Sequence, residues 1–348
     1  MLSLRAREVR RSLPCNKPIR GFPRMRFIAW HREREEVGMG AADDCQDLAS
    51  IADYLGFAPQ HIFYLVEDPD RCYVSIEIPK NSDPTKLRKL DIPISELKGV
   101  QRAINKKILS EFPVDECVHS YVPARSILTA AREFCPGRAV LKMDIEDFFP
   151  SITFVRVLGL FKALDFSDSA SFILARLTTF ADRLAQGAPT SPALSNLIMR
   201  GIDFRLKRLA ATWEVKYLRY SDDIFFHKEK NFNHPKLTAY LSKVIEDGGF
   251  TANNKKTKYH PKGLPRTTLG LLTHGEKPKI PGSQRRIYRS MFFKASRNIH
   301  WAHENREKLR GIIEWYKCVY GRDDTYTQYR AILDNEARLR IHDTYQSK

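Results

Sequence analysis

Two apolar runs with a pair of aspartates between them constrain this chain more than any other feature. Glu214 to Tyr220 and Ile224 to His227 both read as strands, so the intervening Ser221-Asp222-Asp223 places two carboxylates at the tip of a tight hairpin. Upstream, a strand pattern running from Arg138 ends on an acid, Asp144, before Pro150 and Ser151 mark a change of element. Aspartates in a turn have a plainer explanation, because they bond their own backbone there. The second acid-ended strand shifts the balance, since a sheet could gather all three carboxylates, and three adjacent anions repel unless a cation lies among them. Magnesium takes oxygen ligands, and two such ions about 3.5 to 4 Å apart can clamp the attacking and leaving oxygens of an in-line phosphoryl transfer.

Charge points to a polyanionic partner. Lys and Arg outnumber Asp and Glu by 58 to 41 over 348 residues, a net charge of +17, and neutralising phosphates releases their condensed counterions. A basic protein can also be merely basic, so charge alone does not decide the matter. With 43% hydrophobic residues the chain can build a substantial core of two or three subdomains. The six cysteines (Cys15, Cys45, Cys72, Cys117, Cys135 and Cys318) form no C-x-x-C pair and have no histidines at zinc-finger spacing, which suits reduced thiols. No apolar run approaches the roughly 18 residues of a membrane span, and no apolar signal core follows the first residues. We therefore expect a soluble, cytoplasmic protein with no membrane partner. Up to Arg26 the N-terminus carries eight Arg or Lys against one acid, Glu8; it could be a phosphate-binding arm, a targeting segment, or sequence ahead of a start at Met25.

Periodicity places the remaining elements. Leu48, Ile51, Ala52 and Leu55 mark a short amphipathic helix, and Cys72 to Pro79 with Leu87 to Pro93 form a hairpin with a basic tip. Ser95 is placed to cap a helix carrying Leu97, Val100, Ile104 and Ile108 on one face. Gln186 to Pro192 is a loop handing over to a helix, with Ser191 as cap, Pro192 in the first turn, and Leu194, Leu197, Ile198, Ile202, Leu206 and Leu209 continuing it. Beyond Gln284 the pattern is helical and basic, with Leu309, Ile312, Ile313 and Tyr316 as an apolar stripe.

These blocks, in this order, resemble the reverse transcriptases. Tyr220-Ser-Asp-Asp223 resembles their Y-x-D-D hairpin, Asp144-Ile-Glu-Asp-Phe-Phe-Pro-Ser-Ile152 their first catalytic strand, and Gln186-Gly-Ala-Pro-Thr-Ser-Pro-Ala-Leu-Ser-Asn196 the loop and helix between. Arg88 to Pro93 is similar to the fingers segment, Gly249 to Thr257 to the motif after the hairpin, and Leu269-Gly-Leu271 to the grip before the thumb, so the likeness runs from about Tyr73 to Gly282. The resemblance implies an α+β fold: a right-hand polymerase with fingers, an RRM-like palm of antiparallel sheet with packed helices, and an α-helical thumb. Boundaries are expected at 1–36 for a basic N-terminal extension and 37–137 for N-terminal helices and fingers. The palm would cover 138–280, with a fingers insert around 153–190, and the helical thumb 281–348.

The resemblance also implies roles. Asp144 and Asp222 would bind two Mg2+ ions, for which Mn2+ can substitute, with Asp223 adjacent and the Ile145 carbonyl completing one site. Asp147 would face the triphosphate, and Phe149 would close the sugar pocket against a 2′-hydroxyl, although Phe148 and Phe149 are both candidates for the core. Gln186 and Gly187 would lie against the incoming nucleotide, Gly187 because a side chain would block backbone approach. Lys80 and Arg88 would grip phosphates, with Lys86 and Lys89 also at hand. Lys256, or its neighbour Lys255, would protonate pyrophosphate.

Within the family, Val118-His-Ser-Tyr-Val-Pro-Ala-Arg-Ser-Ile127 is most similar to retron enzymes and related antiphage-defence members. Two retron blocks are altered: Ala130-Ala-Arg-Glu-Phe134 stands where Asn-Ala-x-x-His would fall, and Thr268-Leu-Gly270 stands for Val-Thr-Gly. The resemblance implies an RNA template, with a dedicated non-coding RNA as the candidate, a cDNA product and dNTP substrates, and it offers an effector protein as a further candidate partner. From Gly282 onward there are fourteen Lys or Arg against eight acids, with Arg285, Arg286 and Arg289 expected on a phosphate-binding face. The alternatives are a group II intron-type enzyme, which usually continues into a further basic region, an RNA-dependent RNA polymerase, which the bulky Phe149 disfavours, and a catalytically idle RNA-binding protein, which would be expected to have lost one of the acids.

Overall fold

The computed structural model describes residues 40–80 and 83–334, apart from the side chains of 80, 83 and 84. The basic N-terminal segment, the Lys80 side chain and residues 335–348 lie outside the described residues.

The chain mixes helices with antiparallel sheet. β1 (Tyr73–Lys80) pairs with β2 (Asp83–Pro93) as a separate two-stranded ribbon. The central sheet has four strands in the order β4-β5-β3-β6, with β3 Ala139–Asp144, β4 Lys216–Tyr220, β5 Asp223–Lys228 and β6 Lys258–His260. All its pairings are antiparallel. β3 lies in the middle, and Val140, Leu141 and Met143 are completely buried, which is why the sequence there reads as a nearly continuous apolar run. The Ser191–Thr212 helix packs on β4, and Phe134, Val140, Leu218 and Phe225 form a core beside the Ile127–Arg132 helix.

A second core gathers the C-terminal helices Gly282–Arg297, Ile299–Glu304 and Arg306–Tyr320 and a helical stretch at 324–334. The expected stripe of Leu309, Ile312, Ile313 and Tyr316 is buried in it, and the Phe292 and Tyr329 rings stack at 3.9 Å. Leu128, Ala131 and Leu271 also enter this cluster, so these helices share apolar contacts with the segments flanking the sheet. β7 (Thr267–Thr268) and β8 (Leu271–Leu272) are joined by Leu269-Gly270, both at positive φ, as a two-residue primed turn requires. The altered block at 130–134 is core: Ala130, Ala131 and Phe134 are fully buried.

Two expected caps are corrected. Ser95 is the first helical residue rather than the cap of the Ser95–Lys107 helix, because Ile94, tied through its N–H to the Cys72 carbonyl, brings the chain directly from the ribbon into the helix. Ser191 is likewise inside its helix, behind Thr190, and its hydroxyl donates 2.7 Å to the Ala185 carbonyl, bracing the preceding loop instead. Among the described residues no helix is long and apolar enough to cross a membrane.

Candidate active site

The acids are brought together by sheet register. Asp144, the last residue of β3, stands opposite Asp223, the first residue of β5, and Asp223 in turn pairs with Tyr220 across the hairpin. Ser221 and Asp222 are therefore the two turn residues, with Ser221 at φ +60, the positive value that a type II′ turn needs at its first central position. The Ile145 N–H donates to the Asp222 carbonyl at 3.1 Å, tying the end of β3 to the turn. The next segment along the sequence closes the other side: Asn253 N donates to the Asp144 carbonyl at 2.7 Å and Glu146 N to the Thr251 carbonyl at 2.9 Å.

Lysines balance this concentration of charge. Lys256 Nζ lies 2.9 and 3.1 Å from the two Asp144 carboxylate oxygens, and Lys142 Nζ 2.7 and 2.8 Å from those of Asp223. Burial pushes the Asp223 carboxyl up to about 6; the Lys142 ammonium opposes this, while the Asp222 and Asp144 charges add to it. The Lys256 ammonium is held above its ordinary range, first by its hydrogen bond to Asp144 and then by the charges of all three aspartates. Among the described residues no three His, Cys, Asp or Glu side chains are gathered as ligands of one ion, since Asp144 and Asp223 are each turned onto a lysine. The donor set nevertheless suits magnesium: hard carboxylate oxygens from a strand end and a hairpin, partly buried and close enough for their charges to repel unless a cation joins them.

The flanking residues sort themselves by burial. Phe148 is core, packing on Phe250 with ring centroids 5.9 Å apart, which leaves the half-buried Phe149 as the freer ring. Asp147 is exposed at φ +43. The turn after Asn253 delivers Lys256, not Lys255, to Asp144. Gln186 accepts a 3.0 Å hydrogen bond from Asp91 N of β2, and a Cβ on Gly187 would come within 2.7 Å of the Asp91 carbonyl. The close approach that demands glycine at 187 is thus to the neighbouring ribbon. Arg88, three residues along that ribbon, is exposed. Arg285, Arg286 and Arg289 are exposed in the N-terminal half of their helix.

Two participants escaped sequence reasoning. Lys142 was legible in principle, because strand alternation puts it on the same face as Asp144. Arg219 was not: it is the largest fully buried side chain, paired to Asp203 in the Ser191–Thr212 helix, whereas arginine is ordinarily exposed.

Comparison with known proteins agrees with this arrangement. The family model for reverse transcriptase (RNA-dependent DNA polymerase) matches residues 78–273. The chain is 34% identical over 275 residues to the retron Mx65 reverse transcriptase of Myxococcus xanthus, an alignment covering 72% of this chain and 62% of that protein. It is 31% identical to the retron Mx162 reverse transcriptase of the same organism, over 74% of this chain and 59% of that protein. It is 30% identical to the retron Ec86 reverse transcriptase of Escherichia coli, over 62% of this chain and 68% of that protein. The chain thus spans about three fifths of the length of the two Myxococcus relatives. A family match across most of the ribbon and the whole central sheet, together with these identities, means that the chain belongs to the reverse transcriptases, among their retron-type bacterial members.

Proposed function

We propose that the chain is an RNA-directed DNA polymerase acting by a two-metal mechanism, and the observation that carries this reading is the register that sets Asp144 against Asp223 with Asp222 in the turn between strands. Asp144, Asp222, Asp223 and the Ile145 carbonyl would hold two Mg2+ ions, or Mn2+ in their place. When bound, the ions activate the primer hydroxyl and neutralise charge on the departing pyrophosphate.

The chain's own residues do the rest. Lys256 would give a proton to pyrophosphate, a role supported by its hydrogen bond to Asp144, which keeps its ammonium protonated. Phe149 closes the sugar side of the pocket against a 2′-hydroxyl. Gln186 and Gly187 would lie along the nucleotide, and Asp147, Arg88 and Lys80 would meet its phosphates. The ribbon and N-terminal helices act as fingers, the central sheet as palm and the C-terminal helices as thumb, with Arg285, Arg286 and Arg289 on the backbone of a template-primer duplex. The template would be a structured non-coding RNA and the setting cytoplasmic antiphage defence with an effector protein, as the resemblance of Val118 to Ile127 to retron and antiphage-defence enzymes implies.

Primer extension on an RNA template with magnesium tests the reading. Wild type should extend with dNTPs in preference to rNTPs, and Asp222→Asn should abolish synthesis; full synthesis by Asp222→Asn would sink the assignment.

A further inference from the structure

We propose that Ser120, Tyr121 and Asn196, together with the buried Arg219 side chain of β4, form a positioning network that holds the Ser221–Asp222 turn, so that carboxylate placement depends on them. The inference rests on the polymerase reading and adds to it residues that touch neither substrate nor metal.

A two-residue hairpin turn ordinarily leaves the backbone groups of its tip to solvent. Here both polar groups of Ser221 are held within the protein. Its N–H donates 2.7 Å to Ser120 Oγ, and its carbonyl accepts from Arg219 Nη1 at 3.3 Å. The Ser221 hydroxyl lies 3.2 Å from that of Tyr121. Ser120 and Arg219 are linked through Asn196, whose Oδ1 accepts from Arg219 Nη1 at 3.0 Å and whose Nδ2 donates to the Ser120 carbonyl at 3.0 Å. Arg219 is in turn fixed by a two-pronged pair with Asp203, Nε and Nη2 each at 2.8 Å.

Backbone pairing sets the position of Ser120. The segment from Cys117 runs parallel to β4: Arg219 N donates to the Cys117 carbonyl at 2.8 Å and His119 N to the Arg219 carbonyl at 2.9 Å. Ser120, Asn196 and Arg219 are all buried to within 2% of full exclusion.

The arrangement has a physical purpose. Serine at φ +60 occupies a conformation that L side chains adopt only when their surroundings impose it. Asp222 follows directly, and its carbonyl is the acceptor for Ile145 N. A rotation of the Ser221 peptide would displace both the Asp222 carboxylate and the tie to Ile145, which follows Asp144, and metal-ligating groups work only when held to about half an ångström.

The test uses the full chain. Ser120→Ala removes the acceptor for Ser221 N, and Tyr121→Phe removes one hydroxyl from a half-exposed ring while keeping the ring itself. Nucleotide incorporation is measured at saturating magnesium, and Mn2+ binding without nucleotide is followed by electron paramagnetic resonance. For Ser120→Ala we expect kcat lowered about 10- to 100-fold with KM for dNTP unchanged, and Mn2+ affinity weakened about tenfold, the range seen when groups supporting a metal ligand are removed. Tyr121→Phe should shift both in the same direction by less. Wild-type kcat and Mn2+ affinity in both variants, with only Tm lowered, would overturn the inference while leaving the polymerase standing if Asp222→Asn is inactive. A wild type that incorporates no nucleotide would remove the proposed function and this inference with it.

Discussion

Arg219→Met takes the guanidinium out of a site with no solvent exposure and leaves the Asp203 carboxylate, 2% exposed, with the Tyr217 hydroxyl as its remaining donor at 2.6 Å. Two charge-assisted hydrogen bonds at 2.8 Å disappear, each contributing about 1.5 to 3 kcal/mol. Removing one member of a buried pair costs about 3 to 5 kcal/mol in measured cases, so we expect a loss in that range. Against a domain stability of about 5 to 15 kcal/mol this is severe but measurable at low temperature. Asp203→Leu should cost a similar amount by stranding the guanidinium. The double variant Arg219→Met/Asp203→Leu strands no charge and should be less destabilised than the sum of the two by about 2 kcal/mol or more. Urea denaturation followed by circular dichroism at pH 7 measures all four corners of the cycle. Additive losses, or a loss below about 1 kcal/mol for Arg219→Met, would refute the buried-pair reasoning. The double variant, folded but lacking the donor to Ser221, should also polymerise slowly, which separates stability from positioning.

Gly187→Ala would press a Cβ to 2.7 Å from the Asp91 carbonyl at a φ of +139, costing about 1 to 3 kcal/mol and raising KM for dNTP; an unchanged Tm would show that the ribbon yields freely. His227 is buried beside Phe134, and its affinity for a proton is depressed to about 3, first by burial and then by the charges of Arg138, Lys216 and Arg266. Below the unfolded value of about 6.5 the unfolded chain takes up the proton and the folded chain does not, so stability falls as pH drops toward 3, by up to about 1.4 kcal/mol per pH unit. His227→Phe should flatten the pH dependence of urea midpoints between pH 6 and 4, and an identical slope would exclude His227 as its source. Replacing Arg285, Arg286 and Arg289 with glutamine should weaken RNA binding and lessen its salt dependence, by up to about 0.9 in log-log slope per lost phosphate contact; unchanged affinity would take that helix out of the interface.

Much of the site was legible without coordinates. Two-residue alternation and flanking apolar runs located β3, β4 and β5 to within a residue or two, and the acid at the end of one and between the other two marked them as chemically loaded. Such signals are local: they follow from backbone dihedrals and from which face of a short element must be apolar. Whether Ser95 and Ser191 cap their helices was not settled by helix periodicity, because contacts outside each helix, Ile94 N–H to the Cys72 carbonyl and the Ser191 hydroxyl to the Ala185 carbonyl, shape where the chain enters it.

The choice of Lys256 over Lys255, the reason for glycine at 187 and the burial of Arg219 belong to the tertiary structure alone. Lys256 and Asp144 are separated by 112 residues, Ser120 and Ser221 by 101, and Arg219 and Asn196 by 23. A charged side chain reads in sequence as a surface residue, since burying it costs more than it returns unless partners wait inside. Those partners exist only after the sheet has closed and the Ser191–Thr212 helix has docked on β4. The sequence by itself determined which strands carry acids; only the folded chain decided what holds them, because that depends on pairing energies between segments no local pattern connects.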